Sequence, residues 1–166
     1  MGKSVIGKEL AKQMDLPFVD LDEEVQKAHL AKVGEKLNCR QIMLKVGQQA
    51  FRDLEHESLK AVLANTPPVV IALGGGAPMH LLSRPLIAEH TAILVQAPKT
   101  IVFERIMING RPAFFSADES PLQSFNRIWA ERAPIYEALA KIKTNNSGSI
   151  EQAVEQIKLA IINQPV

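Results

Sequence analysis

Apolar residues Val5, Ile6, Leu10, Ala11 and Met14 recur at helical spacing, with Lys8, Glu9, Lys12 and Gln13 between them. This predicts a first helix, ended by Asp15-Leu16-Pro17. Phe18-Val19 running into Asp20-Leu21-Asp22 reads as a short buried strand with carboxylates at its C-terminal end, followed by a second helix over roughly 23–28. The segment 30–38 has no clear period. Asn38 is placed to cap a helix carrying Ile42, Met43 and Val46, with Gly47 closing it, and 49–63 is strongly helical.

Thr66-Pro67-Pro68 breaks that helix, and Val69-Val70-Ile71-Ala72-Leu73 is a continuous apolar run, the pattern of a parallel strand buried on both faces. It ends in three glycines. A helical stretch at 81–88, a second buried-strand run Ala92-Ile93-Leu94-Val95 and a helical stretch at 101–108 follow. The segment 109–119 has no period. A helix near 122–139, a short strand around Ile142 and a last helix over 150–162 complete the chain. Strands alternating with helices predict an α/β fold with a mostly parallel sheet.

At 166 residues the chain is sized for a single domain, taken here as 1–166. Nineteen Lys and Arg against eighteen Asp and Glu, a net charge of +1, provide no broad basic field for nucleic acid, so an anionic partner needs a local site. The single cysteine, Cys39, cannot form an internal disulfide, and no apolar run approaches the roughly 20 residues of a membrane helix. A cytoplasmic, soluble monomer without nucleic-acid or membrane partners is expected. The four histidines show no metal-ligand spacing.

In open parallel sheets ligands gather at the carboxyl ends of strands. Gly2-Lys3-Ser4 opens a helix as the last part of a phosphate-binding P-loop does, with a lysine for phosphates and a hydroxyl for magnesium; the alternative is an ordinary helix start. Asp20 and Asp22, two apart at a strand end, are expected to serve separate partners, one toward metal and phosphates and one toward an acceptor; the alternative is a helix cap. Gly74-Gly75-Gly76 lets backbone amides approach a ligand, where the alternative is a plain turn. Arg52 with Glu55 reads equally as an exposed i,i+3 pair. Phe51, Trp129 and Tyr136 read as packing residues, Phe51 also as a floor for a substrate pocket.

Together with Phe51-Arg52-Asp53-Leu54-Glu55, Gly110-Arg111-Pro112 and Glu131-Arg132-Ala133-Pro134-Ile135-Tyr136, these places resemble the shikimate kinase family in order and spacing from Gly2 to about Asn145. The resemblance implies a three-layer P-loop kinase fold with a mobile lid, and phosphorylation of shikimate by ATP with magnesium on the route to chorismate and aromatic amino acids. It implies that Gly2, Lys3 and Ser4 hold ATP phosphates, that Ser4 and Asp20 serve the metal, and that Asp22 binds and activates the acceptor hydroxyl. Arg52 and Arg132 would hold the shikimate carboxylate, Glu55 would position Arg52 or the substrate, and Gly74, Gly75 and Gly76 would face the ring. Arg111 would close over the transferring phosphate and Arg105 would stack on adenine. A kinase for another polyol acid such as gluconate, and an inactive ligand-binding paralogue, are the alternatives.

Three departures from the family pattern stand out. Met1 immediately precedes Gly2, so the first glycine of the P-loop and the strand before it are absent from the sequence. Neighbouring strands would then hold unpaired backbone groups, each costing about 1 to 3 kcal/mol, and the sequence is expected to begin inside its natural gene product or to be a truncated paralogue. Gln48-Gln49 follow Gly47 where the family favours an acidic residue, and Ala113-Phe114 follow Arg111-Pro112 where it has two leucines. These alter the acceptor-pocket wall and the lid tip.

Overall fold

The computed structural model of the chain describes residues 2–65, 68–108 and 110–163. Thr66 and Pro67 of the expected helix break, Asn109, and the two ends of the expected 1–166 domain lie outside these residues. In order, the elements are α1 (Lys3–Gln13), β1 (Phe18–Asp20), α2 (Leu21–Val33), α3 (Cys39–Val46), α4 (Gln48–Asn65), β2 (Val70–Ala72), a 3-10 turn (Ala77–Met79), α5 (Ser83–Ala88), β3 (Ile93–Gln96), α6 (Lys99–Met107), α7 (Pro121–Leu139), β4 (Ile142–Asn145) and α8 (Ile150–Ile162).

The α/β alternation matches the expectation, with one correction to the strands. Both pairings are parallel: among the described residues β1 pairs with β2, and β3 with β4, in two two-stranded sheets. One edge each of β2 and β3 thus has no strand partner among the described residues. The strands are less covered than their apolar runs implied: Val70 and Ile71 are half-buried, and only Ala72 of β2 is buried.

Helix ends follow local chemistry. Asn38 and Gln41 form a reciprocal capping box at α3, and Gly47 closes it. Ser120 with Gln123, and Ser149 with Gln152, do the same for α7 and α8. The second helix is longer than its pattern suggested. It begins at Leu21 because Asp20 caps it, and it ends at Gly34, whose φ of 77° suits glycine.

Three apolar clusters hold the elements. Leu21, Val25, Ile42, Phe51, Leu59, Ala77 and Ile87 join α2, α3 and α4 to the segment after β2. Phe51 is thereby a core residue. Ile6 and Leu10 of α1 pack with Ala153, Val154 and Ile157 of α8, against Val70 of β2 and Ile93 and Val95 of β3. Phe115, from the irregular segment between α6 and α7, packs with Phe125 and Ile128, with Trp129 against them. Two of the four histidines are structural: the rings of His56 and His80 stack at 4.6 Å, His56 Nδ1 lies 3.0 Å from Ser83 Oγ, and His80 Nε2 lies 3.2 Å from Asp53 Oδ1. These contacts clamp the segment following the three glycines onto α4.

The packing separates two neighbouring apolar residues of α3. Ile42 is fully buried, whereas Leu44 is 66% exposed. Ile42→Ala is expected to cost about 2 to 5 kcal/mol, and Leu44→Ala within about 0.5 kcal/mol of zero, in urea unfolding. Equal losses would contradict the assignment of the core face.

Candidate active site

The first turn of α1, the end of β1, the first turn of α2 and the segment after β2 converge on one cavity of about 210 Å3. Its walls include Gly2, Lys3, Ser4, Asp20, Asp22, Gly74 and Gly75. The parallel register of β1 and β2 sets Asp20 beside Ala72, so both chains leave their strands at the same end. That end is where an α/β fold presents its ligand groups.

Gly2 caps α1 with φ of 95°, a left-handed conformation suited to glycine. The first turn of a helix leaves backbone N–H groups without helical acceptors, the chemistry that suits an anion. Ser4 Oγ donates to Asp20 Oδ2 at 2.7 Å. The other Asp20 oxygen accepts from the Asp22 N–H at 3.0 Å. Asp20 therefore caps α2 and lines the cavity. Asp22 is corrected: it sits in the first turn of α2 and not on the strand, so the helix start and not the strand sets its direction. They remain on one cavity wall.

The charges there perturb one another. Withdrawal from water pushes the Lys3 ammonium below its usual range, against the opposing pull of Asp22 and Asp20. The Asp22 carboxyl is pushed up, first by the protein around it and then by the Asp20 charge, with Lys3 and Arg52 opposing. A carboxylate raised in this way is a better proton acceptor than a free one.

Arg52 and Glu55 form an ion pair of 2.5 Å beneath the glycines. Arg52 is 7% exposed and Glu55 2%, which removes the reading of an exposed helix pair. Burial raises the Glu55 carboxyl, with Arg52 opposing. The glycines owe their lack of a side chain to this pair: a Cβ on Gly74 would lie 2.7 Å from Glu55 Oε1 and 2.8 Å from Asp22 Oδ1, and one on Gly76 would overlap the Arg52 guanidinium.

Tyr136 joins this group from α7. Its hydroxyl donates to the Gly75 carbonyl, and burial pushes the phenol up with the Arg132 charge opposing. Tyr136 is expected from the sequence as a packing residue, yet its place four residues after Arg132 on one helix face is the pattern that brings the two side chains together. Cys39, considered only for disulfides, donates its thiol to the Asp22 carbonyl at 3.3 Å. Burial and the nearby carboxylates push that thiol up to about 12, so it stays protonated as a support for the first turn of α2.

Arg132 also lines a second cavity of about 320 Å3, with Gln48, residues 113–116, Arg127, Ile128 and Glu131. The departures noted at Gln48 and Phe114 thus meet at one place. Of the expected site residues, Arg52, Glu55 and Gly76 stand behind the wall of the first cavity and Arg132 lines the second, while two others line neither. Arg111 donates to the carbonyls of Ser116 and Glu119 in its own segment, and Arg105 lies in the last turn of α6. Neither lines either cavity.

Comparison with known proteins points one way. Residues 1–162 match the shikimate kinase family. The chain is 30% identical to a shikimate kinase of Francisella tularensis subsp. holarctica over 99% of its own length and 91% of that protein. It is 29% identical to a bifunctional shikimate kinase/3-dehydroquinate synthase of Thermotoga maritima, of which it spans 32%. Its fold superposes on the Acinetobacter baumannii shikimate kinase solved in complex with shikimate, with a TM-score of 0.80 at 25% identity, covering 97% of this chain and 87% of that one.

The electrostatics of Asp22 can be tested without a ligand. A carboxyl whose pKa is raised on folding keeps its proton longer in the folded chain, so its contribution to stability falls as pH climbs from the ordinary value of 3.8 through the folded value. Asp22→Asn removes that loss. The variant is expected to be more stable than the parent at about pH 8, with the gap closing below about pH 4, in urea midpoints measured across that range. A variant less stable than the parent at the upper pH would show that Lys3 and Arg52 outweigh burial.

Proposed function

The chain belongs to the shikimate kinase family, and we propose that it transfers the γ-phosphoryl group of ATP to the 3-hydroxyl of shikimate, giving shikimate 3-phosphate and ADP. The observation that supports this reading best is the meeting of two kinds of chemistry in one cavity. A helix start with Lys3 and Ser4, suited to phosphates, faces the raised carboxyl of Asp22 and the glycines backed by buried Arg52.

In this reading the amides of the α1 first turn and Lys3 bind the phosphates, and Lys3 offsets the charge that spreads over the transferring group. Asp22 orients the 3-hydroxyl and accepts its proton as the oxygen attacks the γ-phosphorus. The bond from that phosphorus to the β–γ bridging oxygen breaks, and ADP leaves with the electron pair. Arg52, held by Glu55, and Arg132 pair with the shikimate carboxylate through the planar guanidinium edge. Gly74, Gly75 and Gly76 allow the backbone to lie against the ring. Arg111 reaches the transferring phosphate on release from the Ser116 and Glu119 carbonyls, and Arg105 serves the adenine side.

Ser4 Oγ and Asp20 Oδ2, 2.7 Å apart, are hard oxygen donors at one side of the cavity. No cluster of three or more His, Cys, Asp or Glu able to hold a metal occurs among the described residues. So sparse an oxygen set fits magnesium, which takes most of its ligands from phosphates and water, and Ser4 and Asp20 would hold it. Bound there, magnesium supplies neutralisation of phosphate charge.

The reading is tested by incubating the chain with ATP, magnesium and shikimate and assaying for shikimate 3-phosphate. Gluconate serves as the competing acceptor. Phosphorylation of gluconate in place of shikimate, or ligand binding without turnover, would overturn the reading. Arg132→Ala is expected to raise KM for shikimate about 10-fold to 150-fold, the worth of a charged hydrogen bond of about 1.5 to 3 kcal/mol, with KM for ATP little changed. A raised KM for ATP alone would assign Arg132 to the wrong substrate.

The two aspartates should respond differently to metal. Asp22→Asn is expected to lower kcat about 100-fold or more, with no recovery at high magnesium. The defect of Asp20→Asn should be partly repaired by added magnesium, as expected of a residue serving the ion. Profiles of kcat against free magnesium for both variants check this, and repair of the Asp22 variant would reverse the assigned roles.

A further inference from the structure

The lid tip departs from the family pattern at the position that reaches the acceptor arginine. Phe114 lies under Arg132, whose guanidinium carbon is 5.0 Å from the ring centroid. The ring is held from behind. Phe114 meets Phe115 edge-on at 5.3 Å, and Phe115 is 7% exposed within the cluster of Phe125 and Ile128. Arg111 stiffens the same segment by donating to the Ser116 and Glu119 carbonyls. Phe114 is thus carried on a braced loop.

We propose that Phe114 is a positioning residue for the acceptor: its ring holds the face of the Arg132 guanidinium and leaves the edge free to pair with the carboxylate of the substrate. A guanidinium is planar, so it can stack through its face and hydrogen-bond through its edge together. Stacking on an aromatic ring also takes one face out of water, where the attraction of a cation to the ring is stronger. The ring restricts the orientations open to Arg132, and an arginine already oriented loses less freedom when the carboxylate arrives. Two leucines at the lid tip would cover the site but would offer no π face. The lid of this chain therefore senses the acceptor side through Phe114, while its arginine is engaged within the loop.

This inference rests on the reading of Arg132 as an acceptor-binding residue, so the experiment separates the two. Shikimate and ADP are titrated calorimetrically into the parent chain, Phe114→Leu, which keeps apolar bulk without a π face, and Phe114→Tyr, which keeps the ring. Phe114→Leu is expected to weaken shikimate binding about five-fold and Phe114→Tyr less than about two-fold, with ADP affinity unchanged in both. Equal or tighter shikimate binding by Phe114→Leu overturns the proposal, as does an equal loss in Phe114→Tyr or a parallel loss for ADP, which would mark the ring as lid packing only. A ligand-free double-mutant cycle between Phe114→Leu and Arg132→Ala in urea unfolding reads the contact itself. Coupling is expected, and its absence overturns the proposal whatever the chain binds. A parent chain that binds no shikimate but shows the coupling counts against the proposed function and leaves the positioning of Arg132 by Phe114 in place.

Discussion

An arginine and a glutamate are kept out of water directly beneath the glycine loop, and most of the site geometry follows from accommodating them. Removing two charges from water costs several kcal/mol each before their attraction is counted, so such a pair persists only with good geometry and satisfied neighbours. Arg52 and Glu55 meet at 2.5 Å, one helical turn apart on α4. Their bulk and charge exclude any side chain at Gly74 and Gly76 and draw the chain after β2 close over α4. The stacked His56 and His80, with Asp53 and Ser83, fasten the far end of that segment to the same helix. A loop that must face a ligand is thereby held by buried polar contacts on one side and left bare on the other.

Above this base the site works by opposed charges. Lys3, Asp20, Asp22, Arg52, Glu55 and Arg132 each act on at least one other, and burial pushes Lys3 down while it pushes Asp22 and Glu55 up. Such a group of opposed, mutually perturbed charges is costly to bury and marks a place suited to charged ligands. Asp20 shows how few residues are needed: one carboxylate caps α2 through Oδ1 and holds the Ser4 hydroxyl through Oδ2.

Much of this was legible in the sequence because it is local. The cap at Asn38, the stop at Gly47 and the bounds of α8 follow from side chains acting within one turn of themselves. The cavity residues Gly2, Lys3, Ser4, Asp20, Asp22, Gly74 and Gly75 were named from their places after strands or at a helix start. What was misjudged depends on distant partners. The strand reading of Asp22 fails because the cap that starts α2 at Leu21 is a choice between two aspartates that spacing does not make. Arg111 donates to two carbonyls of its own loop, and no pattern in the sequence identifies Gly75 as a partner of Tyr136 or Arg132 as the partner of Phe114.

The packing of α1 has a consequence for cooperativity. Strand pairs that share no ladder do not transmit order to each other through backbone hydrogen bonds, so each is free to open as its own unit in amide exchange. Ile6 and Leu10 bridge them by packing on α8, beside Val70 of one pair and Ile93 of the other. The same helix begins with the residues of the cavity. An anion seated on its first turn would steady the bridge as well as the site, so protection gained on binding would spread to β3 and β4, whose residues do not touch the cavity, and the two halves would exchange as one body.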